Sequence, residues 1–294
     1  MPLLRRWARV FAPMLMLFIS TLPGKVFAAE QKTAHKMPAV VVTAEADGNG
    51  ALTVPTIQQA REAIDQIPGG VDIITAASYE TGRASTLKDM LEYSPGVMVQ
   101  PRFGAEEARL SIRGSGIQRT FHLRGITLLQ DSVPLSDADG SGDFQEIEPL
   151  AYHYIEVYRG ANALEYGSTT LGGAINFISP TGYDASLIQG RLEAGSFGYL
   201  KGQASSGARV GPADYYVSLT QYRQVGYRVH SEQDNRRIFA NLGYRVSPNL
   251  ENRFYLALVD THSALPGSLT KFQMETDPTQ ANPANISQNQ RRDF

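Results

Sequence analysis

The chain has 294 residues, 42% hydrophobic and 19% charged, with a formal net charge of −2. That length accommodates one or two well-buried domains, and a near-neutral balance without like-charge blocks supplies no field to draw in nucleic acid. The absence of cysteine excludes a disulfide framework and a thiolate metal site, while 27 glycines and 14 tyrosines fit a turn-rich β protein better than a helical enzyme.

Residues 1–28 read as a secretory signal. Arg5, Arg6 and Arg9 form a cationic start, Val10 to Leu22 is an apolar run, and Val26-Phe27-Ala28 offers small residues for cleavage after Ala28. The apolar run is shorter than the roughly 20 residues of a spanning helix and is interrupted by Pro13. No later stretch is long and apolar enough to span as a helix, so a membrane form of the mature chain must be a closed barrel, which satisfies every backbone amide internally.

Residues 29–68 are polar or small and read as a mobile arm, with one exception at Val40, Val41, Val42, Thr43 and Ala44. Consecutive β-branched residues between Pro38 and the turn-forming Asp47-Gly48-Asn49-Gly50 make a strand without a nearby hairpin partner. Such a strand is free to add to the sheet edge of another protein.

From Gly69 to Pro180 the pattern is short strands cornered by glycine, which predicts a compact α+β domain. Strands are expected at 70–74, 109–113, 125–130, 154–159 and 174–179. Thr86 and Asp89 form a capping box ahead of a short helix that buries Leu87, Met90 and Leu91, and Ser94-Pro95-Gly96 ends it.

Beyond Pro180 the hydrophobic period becomes two. Ile188, Gly190, Leu192 and Ala194 alternate with polar residues, as do Val217 and Leu219, then Ile238, Ala240, Leu242, Tyr244 and Val246, then Phe254, Leu256 and Leu258. These are antiparallel strands with one oily and one wet face, each close to the ~10 residues of a transmembrane β-strand. Periodicity by itself fits a soluble sandwich equally well.

The order of local signatures decides between them. Val40 to Ala44, Ser94-Pro95-Gly96-Val97, Ile112-Arg113-Gly114, Leu128-Leu129-Gln130-Asp131, Ile155-Glu156-Val157-Tyr158-Arg159-Gly160 and Tyr166-Gly167 through Gly172-Gly173-Ala174-Ile175-Asn176 to Ser179 together resemble the TonB-dependent outer-membrane receptor family, of the ferric-siderophore receptor type. The resemblance covers about residues 38–180. It implies an α+β plug domain at 69–180 folded inside a transmembrane β-barrel of roughly 22 strands. Residues 181–294 hold the first about four of these, too few to close it, so the chain reads as an N-terminal fragment. One departure is local: family plugs usually place Asp-Gly where this chain has Asp131-Ser132, which leaves the turn type open.

The resemblance also assigns roles. Val40 to Ala44 is similar to the TonB box, which pairs with the TonB energy transducer in the periplasm. Arg113 and Arg159 match plug arginines that lock onto barrel glutamates, here expected beyond residue 294. Cargo is expected on the plug's outward loops at Arg102, Phe103, Arg119, Phe121, His122, Asp137 and Asp139, where guanidinium and imidazole suit an anionic ferric chelate and the aromatic rings its organic frame. The implied partners are TonB, a ferric siderophore or similar metal chelate, and outer-membrane lipid. No cofactor is implied. Cobalamin, copper or zinc, and oligosaccharide are rival cargoes, and a passive porin, an adhesin or a non-transporting truncated product are rival functions. The arm is too short for an added signalling domain.

Asp137, Asp139, Ser141, Asp143 and Glu148, with Gly142, match the spacing of an EF-hand loop. Pro134 before it and Pro149 after it deny the loop its flanking helices, so an apical turn is the better reading and no metal site is assigned. No nucleotide, zinc or serine-hydrolase motif is present, and the histidines lie singly, which argues against an enzyme.

Overall fold

A computed structural model describes residues 50–102, 107–116, 123, 125–135, 142 and 144–294. The Val40 to Ala44 strand, and Phe103, Arg119, Phe121, His122, Asp137 and Asp139 of the expected cargo loops, lie outside the described residues.

The chain first forms a short helix, α1 (Ile57–Ile64), inside the stretch read from sequence as arm. Thr56 caps it: its hydroxyl accepts the Gln59 amide while the Gln59 side chain accepts the Thr56 amide, and Ala60 faces inward. Next come β1 (Val71–Thr75), α2 (Leu87–Leu91), the hairpin β2 (Val97–Arg102) with β3 (Glu107–Ile112), then β4 (Ile126–Gln130), β5 (Val133–Pro134), β6 (Tyr154–Arg159) and β7 (Gly173–Ile178). The five-stranded sheet runs β1-β6-β7-β4-β5 and is antiparallel except between β4 and β7. Its mixed character follows from connectivity, since the long path from β4 to β7 crosses over whereas β6 doubles back beside β1 and β7. β4, β6 and β7 are buried at every residue, as apolar runs such as Ile126-Thr127-Leu128-Leu129 require. One core joins Leu87, Met90 and Leu91 of α2 to Leu110, Ile112, Leu128, Val157, Ile175 and Phe177. The capping box at Thr86 and Asp89 forms as the sequence predicts.

The two residues between β4 and β5 decide the open turn. Asp131 and Ser132 have φ of 50° and 67°, the pair of positive values of a type I′ hairpin. Ser132 holds glycine's conformation because Asn176 supports it: the Asn176 side-chain oxygen accepts the Ser132 amide at 2.9 Å.

Residues 189–294 build a second, six-stranded antiparallel sheet from β8 (Gln189–Ala194), β9 (Leu200–Val210), β10 (Ala213–Gln224), β11 (Gln233–Ser247), β12 (Leu250–Ala264) and β13 (Arg291–Asp293), paired in chain order. It does not close on itself. Short turns join β9 to β10 and β11 to β12. Longer links join β10 to β11 and β12 to β13, the latter carrying α3 (Lys271–Thr276) and α4 (Pro283–Ser287). Alternation sorts the residues as expected. Leu192, Leu219, Leu242, Tyr244, Val246, Phe254, Leu256 and Leu258 are exposed on one face, while Lys201, Gln203, Ser218, Arg237 and Asn241 are buried on the other, against the first domain. A sheet wet within and oily without is the reverse of a soluble sandwich and is the pattern of a membrane barrel wall. No helix among the described residues is long and apolar enough to cross a membrane.

Candidate functional site: the seam between plug and wall

Glu148 lies just before Pro149, in a segment whose turns press it toward the wall sheet; its own carboxylate accepts the Leu150 amide at 3.1 Å. Across the seam the carboxylate meets the Lys201 ammonium of β9 at 2.7 Å and the Arg237 guanidinium of β11 at 3.2 Å, with the three side chains 4%, 2% and 4% exposed. Each cation is also tied to a plug carbonyl, Lys201 to Ala84 at 2.7 Å and Arg237 to Gln145 at 2.8 Å. Gln203 adds a bond to the Leu150 carbonyl at 2.7 Å. Burial by itself raises the Glu148 carboxyl, but Lys201 and Arg237 outweigh it and hold the group below its ordinary value. It is therefore a charged pin through a dry interface. Its commitment to two cations also explains why the last position of the EF-hand spacing has another job.

A second set of contacts lies lower on the wall. Asp131 accepts the amide and hydroxyl of Ser179 at 2.8 and 2.9 Å. Ser179 in turn accepts the Asn241 side-chain amide at 2.8 Å, and Asn241 accepts Arg253 at 2.7 Å. Arg253 forms a bidentate pair with Asp214 at 3.0 and 2.9 Å, with both side chains almost fully buried. Gly243 makes room for it, since a β-carbon there would collide with Asp214 and Arg253. Burial pushes Asp131 up to about 6, partly offset by its bonds to Ser179.

Arg159, the last residue of β6, is 6% exposed and is held inside the plug, by Asp72 of β1 and by the Ser94 hydroxyl at 2.7 Å. Arg113 is exposed, with φ of 51°, and its guanidinium passes close to Gly70 and Gly160. The two arginines thus converge at one end of β1 and β6. Arg102 ends β2, half-buried. Sequence reasoning missed Glu148, Lys201, Arg237, Asp131 and Arg253 as seam residues. The available signal was the inward-facing Lys and Arg on strands whose other face is oily.

The TonB-dependent Receptor Plug Domain family matches residues 63–174. The vitamin B12 transporter BtuB of Vibrio cholerae is 31% identical over 163 residues, 54% of this chain and 26% of that protein. The ferric-pyoverdine receptor PbuA of a Pseudomonas strain is 24% identical over 216 residues, 70% of this chain and 25% of its own length. The chain thus spans about a quarter of the curated relatives it matches. Among solved structures, the unliganded ferric citrate transporter FecA superposes with a TM-score of 0.61 at 18% identity, covering 76% of this chain and 35% of that one. The ferric enterobactin receptor PfeA of Pseudomonas aeruginosa gives 0.56 at 18% identity, covering 80% and 37%. These likenesses establish the fold: plug and wall strands occur together in them as they do here. The relatives are named as transporters and receptors rather than enzymes.

Proposed function

We propose that this chain, which belongs to the TonB-dependent receptor family, is the gating portion of an outer-membrane importer that takes up a metal chelate, most simply a ferric siderophore, using energy delivered by TonB. The observation that carries this reading is the seam. A folded stopper is pinned by a buried carboxylate and two cations to the wet face of a sheet whose opposite face is oily. A soluble enzyme has no use for such an arrangement, whereas a plug that must close a membrane cylinder and later move requires it.

In this reading the Val40 to Ala44 strand pairs with the periplasmic domain of TonB, and tension passes along residues 45–56 into α1 and β1. Arg113 and Arg159 sit at the end of the sheet where barrel glutamates would meet them, and Asp72 meanwhile balances Arg159. Arg102, Phe103, Arg119, Phe121, His122, Asp137 and Asp139 would receive the cargo from outside. A ferric chelate is favoured because proteins named for ferric-pyoverdine and ferric citrate are matched over 70% and 76% of this chain, against 54% for the vitamin B12 transporter. Cobalamin is the second reading, on the strength of the 31% identity to a vitamin B12 transporter.

The test is uptake by cells producing the receptor to which this chain belongs, offered iron-55 siderophores and labelled cobalamin in parallel. Energy-dependent accumulation of iron supports the first reading. Accumulation of cobalamin alone replaces it with the second, and accumulation of either that persists undiminished without TonB contradicts both.

A further inference from the structure

The segment leading out of the plug toward the arm does not rest on the plug alone. Its backbone and one side chain are grasped by the wall, at the short turn joining β11 to β12. The Glu251 carboxylate accepts the Leu52 amide at 3.0 Å and the Thr53 hydroxyl at 2.7 Å. Arg253 donates to the Thr53 oxygen at 3.0 Å, and Arg245 donates to the Gly50 carbonyl at 2.7 Å. The same three wall residues are tied to one another, Arg245 to Glu251 at 3.3 Å and Arg253 to Glu251 at 2.7 Å. Leu52 is 49% exposed, so the hold at that residue acts on its backbone, while Ala51 and Val54 beside it pack against the plug.

We propose that residues 50–53 form a latch segment and that Glu251, flanked by Arg245 and Arg253, is its catch on the barrel wall. Two features distinguish a catch from incidental packing. Asp214, Glu251, Arg245 and Arg253 are two carboxylates and two guanidinia, so the site is electrically balanced with or without the segment. What the segment supplies is neutral: one amide, one hydroxyl and one carbonyl. Its departure breaks hydrogen bonds without stranding a buried charge, which makes release reversible. The second feature is position. Any pull on a chain preceding Gly50 reaches this contact before it reaches α1 at Ile57, so the wall shares the first load with the plug cluster of Tyr154 and Ile178, against which Ala51 and Val54 pack. From the catch, a chain of hydrogen bonds runs from Arg253 through Asn241 and Ser179 to Asp131, so the arginine that touches the latch is linked through two side chains to the plug's β4–β5 turn.

The inference uses the uptake reading only for the origin of the pull; the latch itself is tested without cargo or TonB. Hydrogen–deuterium exchange is followed by mass spectrometry on the purified receptor, comparing wild type with Glu251→Ala and with the milder Glu251→Gln. The latch predicts that peptides covering residues 50–54 exchange at least tenfold faster in Glu251→Ala and by a smaller factor in Glu251→Gln, while peptides from β6 and β7 keep their wild-type rates. Unchanged exchange at 50–54 in both variants overturns the proposal. Acceleration of β6 and β7 along with 50–54 overturns it too, because Glu251 would then support the whole fold and not one segment. Failed uptake alongside the predicted acceleration at 50–54 would sink the functional reading and leave the latch standing.

Discussion

The Glu148 carboxylate lies 2.7 Å from the Lys201 ammonium, one on the plug and the other on the second strand of the wall, and neither side chain reaches water. The pair has the opposite polarity to the plug–barrel lock expected from sequence at Arg113 and Arg159, which is a separate contact. There the plug was to provide the cations; at this seam it provides the anion.

Removing Glu148 should therefore be costly. Glu148→Ala leaves Lys201 and Arg237 buried without their counter-charge, a situation worth about 3–5 kcal/mol. Glu148→Gln keeps the shape and some hydrogen bonds and should cost less. Lys201→Met should cost less again, since Arg237 still pairs with Glu148. Chemical denaturation of the purified receptor, followed by a plug-specific probe, gives the order.

The same pin has a predictable pH response. Because its folded value lies below the ordinary 4.5, Glu148 contributes fully above that value, and its contribution is lost only as pH falls below it. The seam should accordingly outlast mild acidification. Limited proteolysis of the plug should be no faster at pH 5 than at pH 7, and a sharp increase at pH 5 would contradict the assignment.

Asp131 behaves in the opposite sense. Burial raises it from 3.8 to about 6, so the fold prefers the protonated form. Its contribution to stability is greatest below the unfolded value and declines as pH rises through about 6, by about 2–3 kcal/mol at most. Asp131→Asn should erase that decline, so thermal melts of variant and wild type should differ more at pH 8 than at pH 5, with the variant relatively favoured at pH 8.

At the neighbouring position, Ser132 pays the strain of φ 67° without being glycine. Ser132→Gly restores the turn chemistry that a type I′ hairpin favours and should stabilise by up to about 1 kcal/mol, despite losing the hydroxyl contact to Asn176. For a domain of this size that is a rise in Tm of about 2–4 °C, readable by calorimetry.

Much of this architecture was legible in residues. The alternation of Ile238, Ala240, Leu242, Tyr244 and Val246 against Asn241 and Arg245 gave β11 and its sidedness. The Thr86–Asp89 box gave α2, and the glycine-cornered runs gave β1, β3, β4, β6 and β7. β9 was missed because its outward positions are Gly202, Ala204, Ser206 and Ala208, too small to register as an oily stripe although the strand pairs along its full length. β13 was missed because its pairing to β12 is set by the wall and not by any pattern in Arg291-Arg292-Asp293. α1 was hidden because Gln58, Gln59, Arg61 and Glu62 make it read as polar arm; only Thr56 and Gln59 mark its start. The seam escaped for a general reason: a lone inward lysine on a barrel strand looks like any lumen residue until the plug carboxylate opposite it is placed.

The outward face offers an independent check on the membrane setting. Leu242→Arg puts a charge on the oily side of β11 and should cost about 2–4 kcal/mol near mid-bilayer. Ala257→Gln, on the inward face of β12, should be tolerated. Heat-modifiable migration of outer-membrane fractions reports both, and equal tolerance of the two substitutions would argue that this face never meets lipid.

The most direct measurement is cargo binding and cargo uptake, made side by side on cells producing the receptor with Val41→Pro. Proline removes the backbone donor that strand addition needs, and Val41 lies well before the first plug helix. The coupled-importer account predicts wild-type binding with uptake reduced to the level of cells lacking TonB. Uptake at the wild-type rate would contradict it.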